Sequence, residues 1–180
     1  MKLPQFKYHP FPLKTGAIET SENECECCGK QTGYIYTGPV YSEEELDDCI
    51  CPWCIADGSA SKKFDAEFTD PDGIGDYGSW DSVSEDVVLE VSTRTPGFCG
   101  WQQERWWTHC HDAGEFLGAA GTSQVLEIGG ELIDALKADT RLEGAEWDNF
   151  CSSLSQDGSP TAYIFRCTKC GVYGGYVDCD

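Results

Sequence analysis

Cys25-Glu26-Cys27-Cys28-Gly29 and, after a hairpin-sized gap, Cys51-Pro52-Trp53-Cys54 are the stretches on which the reading of this chain turns. In a Cys-x-x-Cys pair the two intervening residues curl the backbone so that both thiolates face one ion. Gly at the next position accepts the conformation that lets the chain turn away. A tetrahedral ion needs four such donors, so Cys25 and Cys28 require a partner pair, and Cys51 and Cys54 supply it. Pro52 belongs in the first turn of a helix, where its missing N–H costs little. The positive end of that helix favours thiolate over thiol. Knuckle, hairpin, then two ligands opening a helix describes a treble-clef-like site for a structural zinc.

Twelve cysteines require a redox compartment before they can be interpreted. Met1 to Pro10 has no apolar core of signal-peptide length, and no later stretch approaches a membrane span. The expectation is a cytoplasmic protein, in which clustered cysteines are metal ligands or redox groups and not a disulfide framework. Cys51-Pro52-Trp53-Cys54 also resembles a thioredoxin-type dithiol. No βαβ pattern precedes it, and a redox pair would leave the upstream knuckle unexplained.

A second knuckle, Cys167-Thr168-Lys169-Cys170-Gly171, lacks an obvious second pair. Its remaining ligands must come from Cys99, His109, Cys110, His111, Cys151 or Cys179, and Cys110 with a neighbouring His is the preferred completion. If the chain is extended there, His109 and His111 point to the face opposite Cys110, so they add at most one ligand to it. Four thiolates fill a zinc shell and leave no open position, so the first site is structural. The second, with His109, His111 and Asp112 nearby, is the one opening for hydrolytic chemistry.

Charge narrows the partners. With 32 acidic and 12 basic residues the net charge is −20, which repels phosphate backbones and anionic membranes and attracts basic proteins. Zinc on four thiolates leaves a local charge of about −2, so metallation does not offset the acidity. No Lys or Arg occurs between Phe64 and Thr93, and the stretch around Pro71 to Gly78 reads as an exposed acidic loop. Glu43-Glu44-Glu45-Asp47-Asp48 reads as a solvated face. Trp101, Trp106 and Trp107 with Phe98 are core residues or the lining of a pocket.

The length suits one domain, 1–180. Residues 1–24 form a proline-rich extended arm over the surface, tethered by Phe6, Tyr8 and Phe11. Residues 25–64 hold the knuckle, a hairpin around Gly38-Pro39, a capped turn at Ser42 to Glu45 and a helix from Ile55 to Phe64. The acidic region, 65–93, ends in a helix at Asp86 to Val91. The last segment, 94–180, carries a Trp-rich helix at Trp101 to Trp107 and a strand at Glu115 to Ala119. A longer helix runs from Thr122 or Ser123 to Ala138, burying Leu126, Gly129, Leu132, Ile133 and Leu136. A short helix around Ala145 to Leu154 follows, then strands at Ala162 to Arg166 and Val172 to Val177.

Four blocks together carry a resemblance: Leu3-Pro4-Gln5-Phe6-Lys7-Tyr8-His9-Pro10, Cys51 to Gly58, Thr95-Pro96-Gly97-Phe98-Cys99-Gly100-Trp101-Gln102-Gln103, and Phe165 to Gly171. Over essentially its whole length the chain resembles the bacterial CbrC-type family. That resemblance implies a small cytosolic protein with three Cys-x-x-Cys pairs and no assigned enzyme activity, in a family whose name-giving member is associated with tolerance to a DNase-type colicin. The expectation is therefore an α+β domain with a treble-clef-like zinc site near its N-terminus and a zinc-knuckle hairpin near its C-terminus. Its metal ligands are Cys25, Cys28, Cys51 and Cys54, then Cys167, Cys170, Cys110 and His109. The expected role is to bind a basic protein, a nuclease toxin for example. The alternative is a zinc- or dithiol-dependent enzyme using the His109, Cys110 and His111 region or Cys51 and Cys54.

Overall fold

A computed structural model describes residues 2–75, 78 and 80–180; Asp76 and Tyr77 of the expected acidic loop lie outside them. Two sheets are present. The smaller pairs β1 (Ile18–Thr20) with β2 (Tyr34–Tyr36) antiparallel. The larger has the order β3-β4-β5-β6, all antiparallel, from β3 (Thr108–His109), β4 (Asp112–Ala120), β5 (Thr161–Cys167) and β6 (Tyr173–Asp178). Between the sheets in sequence come α1 (Pro52–Ala56), α2 (Ser59–Phe64), a 3-10 turn at Pro71–Gly73 and α3 (Glu85–Arg94). Between β4 and β5 come α4 (Thr122–Ile128), α5 (Gly130–Thr140) and α6 (Gly144–Cys151). No helix among the described residues is long and apolar enough to cross a membrane.

β5 explains the layering. Successive strand side chains point to opposite faces, and nearly every residue of β5 is buried, so both faces are covered. Tyr163, Phe165 and Cys167 join an aromatic cluster with Phe98, Trp106 and Phe116, while Ala162 and Ile164 meet Leu132, Leu136 and Trp147 of the helices. Phe98 stacks on Phe116 at a centroid distance of 3.8 Å. A third cluster surrounds Cys25, Cys51 and Cys54 with Ile18, Tyr36, Ile50, Ile55 and Phe68.

Several expected elements differ, each for an identifiable reason. The helix over Ile55 to Phe64 is two helices, because Gly58 takes φ +74° and the Asp57 carboxylate accepts the Ser59 N–H at 2.8 Å, starting α2 afresh. No hairpin turns at Gly38-Pro39; β2 pairs with β1, and the chain wraps the buried Tyr36 ring, whose hydroxyl donates to the Pro39 carbonyl at 2.8 Å. Ser42 opens no helix: its hydroxyl oxygen accepts the Glu44 N–H at 3.2 Å while its O–H donates to the Phe64 carbonyl at 3.0 Å, and only a turn follows. The Trp101 to Trp107 helix is absent because its backbone is committed elsewhere. Trp106 donates its N–H to the Gly73 carbonyl and accepts from Gly75, and Arg105 N–H donates to the Tyr176 hydroxyl.

The long helix from Thr122 breaks at Gly129 (φ +63°, ψ −153°), which resets its phase: Val125 is buried and Leu126 is exposed. Strand β4 is longer than expected and starts at Asp112. The stretch expected as an exposed acidic loop around Pro71 to Gly78 is partly buried, at Gly73, Ile74 and Gly75. The arm is anchored by buried side chains. Phe6, Tyr8 and His9 are buried, and the Tyr8 carbonyl accepts the Phe116 N–H at 2.7 Å along β4; Phe11 is half exposed and tethers little.

Candidate metal centres

The two Cys-x-x-Cys-Gly turns have the same backbone wiring. In the first, Gly29 N–H donates to the Cys25 carbonyl at 2.7 Å and Cys25 N–H to that of Lys30 at 3.0 Å. In the second, Gly171 N–H donates to the Cys167 carbonyl at 3.0 Å and Cys167 N–H to that of Val172 at 2.8 Å. Both glycines are left-handed, at φ +66° and +76°, a conformation that costs a residue with a Cβ about 1 to 2 kcal/mol.

Opposite the first turn stands α1, with Cys51 as its N-cap and Pro52 in its first turn. Cys51 N–H donates to the Cys25 sulfur at 3.2 Å. The Cys25 and Cys54 sulfurs are 3.9 Å apart, those of Cys28 and Cys51 4.0 Å, and all four lie within 4.8 Å of one another. Cys51 and Cys54 are thus no isolated dithiol; they share one space with Cys25 and Cys28. Cys25, Cys51 and Cys54 are buried and Cys28 is exposed.

The second cluster joins two hairpins. His109 and Asp112 pair across the turn that links β3 to β4, and Cys110 and His111 between them both take φ +55°. Two left-handed residues make the tight connection whose twist suits a hairpin, though Asn-Gly fills it more easily. The chain is therefore not extended at Cys110, so the condition under which His109 would point away from that sulfur is not met. His109 Nδ1 lies 3.3 Å from the Cys110 sulfur and 3.5 Å from that of Cys170, which is itself 3.8 Å from Cys110. Cys167 completes the group, again within 4.8 Å. His109 stacks on Trp107, two residues back on the same strand face, with rings 6° from parallel.

His111 stays outside the group; its Nδ1 lies 3.4 Å from the Ser82 carbonyl. Cys99, Cys151 and Cys179, weighed as ligands, join neither cluster. Trp106 and Trp107 are core, and Trp101 is exposed with its indole N–H on the Thr161 hydroxyl.

These spacings fit a shared ion. Sulfurs about 2.3 Å from a tetrahedral centre lie about 3.8 Å apart, and a ring nitrogen at about 2.0 Å lies about 3.5 Å from each sulfur. A disulfide would require sulfurs at about 2.05 Å. Without metal the thiols must share protons. The Cys51 thiol, donating to Cys25, draws the latter down to about 4, helped by backbone N–H groups and against burial. Burial pushes Cys54 up to about 12. At Cys167 burial acts upward, but N–H groups of Cys170 and Lys169 and the His109 side chain outweigh it, leaving the thiol at about 6. Hydrogen bonding to Cys170 lifts Cys110 to about 11. A metal ion entering either cluster displaces the remaining protons.

Sequence reading missed what supports these clusters. Lys63 donates to the carbonyls of Glu26 and Cys27 inside the first turn, at 2.7 and 3.2 Å. Under the second cluster lies buried Asp112, which accepts from the Tyr8 hydroxyl at 2.6 Å, from Lys7 Nζ at 2.9 Å and from the Thr168 hydroxyl at 2.8 Å. Burial raises this carboxyl, and the hydrogen bonds from Tyr8, Lys7 and Thr168 more than reverse that, holding it below the ordinary range. One carboxylate thus ties the N-terminal arm to both hairpins of the second cluster. The sequence carried a signal for it in Lys7-Tyr8 and Thr168, but no spacing that joins them.

Fold and site together define a cysteine-rich protein of mixed helices and strands, with two clusters of four donors that can each hold a metal ion. The chain belongs to the family described as "Uncharacterised protein family (UPF0167)", whose model matches residues 3–179. It is 49% identical over 185 residues to "UPF0167 protein Mb2317" of Mycobacterium bovis, covering 98% of this chain and 94% of that protein. It is equally similar to "UPF0167 protein MT2352" of Mycobacterium tuberculosis. "UPF0167 protein PA1536" of Pseudomonas aeruginosa is 44% identical over 170 residues, covering 94% of this chain and 93% of that protein. No solved structure matches the chain.

Proposed function

We propose that both clusters are structural zinc centres, the first treble-clef-like and the second a knuckle hairpin closed by His109 and Cys110, and that the protein is a cytoplasmic binding module for a basic protein. Thiolate and imidazole donors in tetrahedral spacing suit zinc, and four protein ligands leave no position for substrate or activated water. A binding role therefore fits the clusters better than hydrolysis.

The observation that carries the binding role is the loop between the two ligand pairs of the first centre. Leu46 is buried while Glu43, Glu44, Glu45, Asp47 and Asp48 are exposed. The loop is fastened beside the ligands, with the Cys49 carbonyl accepting the Glu26 N–H at 2.9 Å and the Asp48 carbonyl accepting from Asn23. Five carboxylates are thus presented on a backbone that the metal site holds in place. On a chain of net charge −20 this surface steers basic partners, and the resemblance to CbrC-type proteins makes a DNase-type toxin the partner to try first. The test is calorimetric titration with a basic nuclease domain at low and moderate salt. Binding that weakens with salt and is lost in the Glu43→Gln, Glu44→Gln, Glu45→Gln variant is expected; no binding at low salt removes the proposal.

A further inference from the structure

The two clusters differ in what solvent can reach. In the first, three of four sulfurs are buried, and exposed Cys28 has buried Cys51 as its neighbour at 4.0 Å. In the second, Cys110 and Cys170 are both exposed, sit at the tips of facing hairpin turns, and have sulfurs only 3.8 Å apart. Cys110 also sits on left-handed backbone, which stores strain at the turn.

We propose that Cys110 and Cys170 are an oxidation site for hydroperoxides, and that forming their disulfide empties the second centre while the first keeps its ion. The inference rests on the zinc reading above. In the first step one thiolate sulfur attacks a peroxide oxygen. The O–O bond breaks, hydroxide leaves and takes up a proton as water, and a sulfenic acid remains. The second thiolate then attacks the sulfenic sulfur; the S–O bond breaks, a second hydroxide leaves as water, and the S–S bond forms. Two thiolates supply the two electrons, so for hydrogen peroxide the balance is two thiolates, one peroxide and two protons giving one disulfide and two waters. The sulfurs close from 3.8 Å to about 2.05 Å. Of the four donors of this cluster, His109 and Cys167 then remain, half of what a tetrahedral ion needs, and zinc departs.

The experiment uses the full-length, metal-loaded chain with the other exposed thiols outside the clusters removed, Cys99→Ser and Cys179→Ser; should that variant not fold, the wild-type chain receives the same treatment. Zinc per chain is measured first, then one equivalent of hydrogen peroxide is added with a chromogenic zinc chelator present. Disulfides are mapped after alkylation. Release of one of two ions is expected, with a Cys110–Cys170 disulfide and recovery of the ion after dithiothreitol and added zinc. Release of both ions or of neither, or a disulfide elsewhere, overturns the proposal. A chain that carries no zinc before peroxide refutes the zinc reading separately, and the disulfide map still decides whether Cys110 and Cys170 are the reactive pair.

Discussion

Replacing Asp112 by Ala should be among the most damaging single changes outside the cysteines, and its size can be worked from the contacts. The carboxylate is 4% exposed and has three side-chain donors. Its loss leaves the Tyr8 O–H without an acceptor, although the oxygen still accepts from Lys7 Nζ at 2.8 Å, and removes three charge-assisted hydrogen bonds, from Tyr8, Thr168 and the Ala113 N–H. Each is worth about 1.5 to 3 kcal/mol when one partner is ionised. Lys7 is 53% exposed and remains hydrated, so its ion pair adds little. The sum is about 5 kcal/mol, at the upper end of the range for breaking a buried charged network. Urea unfolding of the metal-loaded protein at pH 7 measures it. Asp112→Asn, which keeps an acceptor without the charge, should lose about half as much. Because the folded carboxyl titrates below its unfolded value of 3.8, its stabilisation is complete above that pH and fades as pH falls through the folded value; Asp112→Asn should remove that acid-limb slope. A loss under about 1 kcal/mol for Asp112→Ala would refute the claim that this carboxylate fastens arm to hairpins.

Other outcomes follow from the same structure. Burial holds His9 at about 4, and its Nδ1–H donates to the Pro96 carbonyl at 2.7 Å, so the neutral ring is the folded form. The unfolded chain takes up this proton below about 6.5, so stability should fall by about 3 kcal/mol between pH 6.5 and pH 4; a His9→Gln chain with the same pH slope would contradict this. Gly174→Ala drives a methyl into the Trp107 indole and should cost about 1 to 3 kcal/mol, read as a drop in melting temperature. His111→Gly should keep the metal content and gain about 1 kcal/mol by relieving its left-handed backbone, whereas His109→Ala should lose one ion per chain by elemental analysis. Equal metal loss in both variants would dissolve the distinction between the two histidines.

Local chemistry was readable and tertiary commitment was not. Both Cys-x-x-Cys-Gly turns, the helix start at Pro52 and the strands leading into and away from Cys167 follow from short-range rules, and they appear within a residue or two of where those rules put them. The preferred completion with Cys110 and His109 was reachable by counting donors, but the geometry behind it was not. Cys110 and His111 lack the Asn or Gly that signals a two-residue turn, so nothing in the sequence announces the turn that brings His109 to Cys110. The Trp101 to Trp107 stretch had helical spacing, yet its N–H groups pair with Gly73 and Tyr176, far away in sequence. Ser42 and Gly129 show the same limit: a cap signal that closes a turn and starts no helix, and a glycine whose weak propensity became a full break.

Two zinc ions, held by Cys25, Cys28, Cys51 and Cys54 and by His109, Cys110, Cys167 and Cys170, are what the proposed function requires. Elemental analysis of the full chain, purified without added metal and without chelators, tests this most directly. Two zinc ions per chain are expected, falling to one in Cys167→Ser and to one in Cys54→Ser; a folded chain with no metal would overturn the proposal.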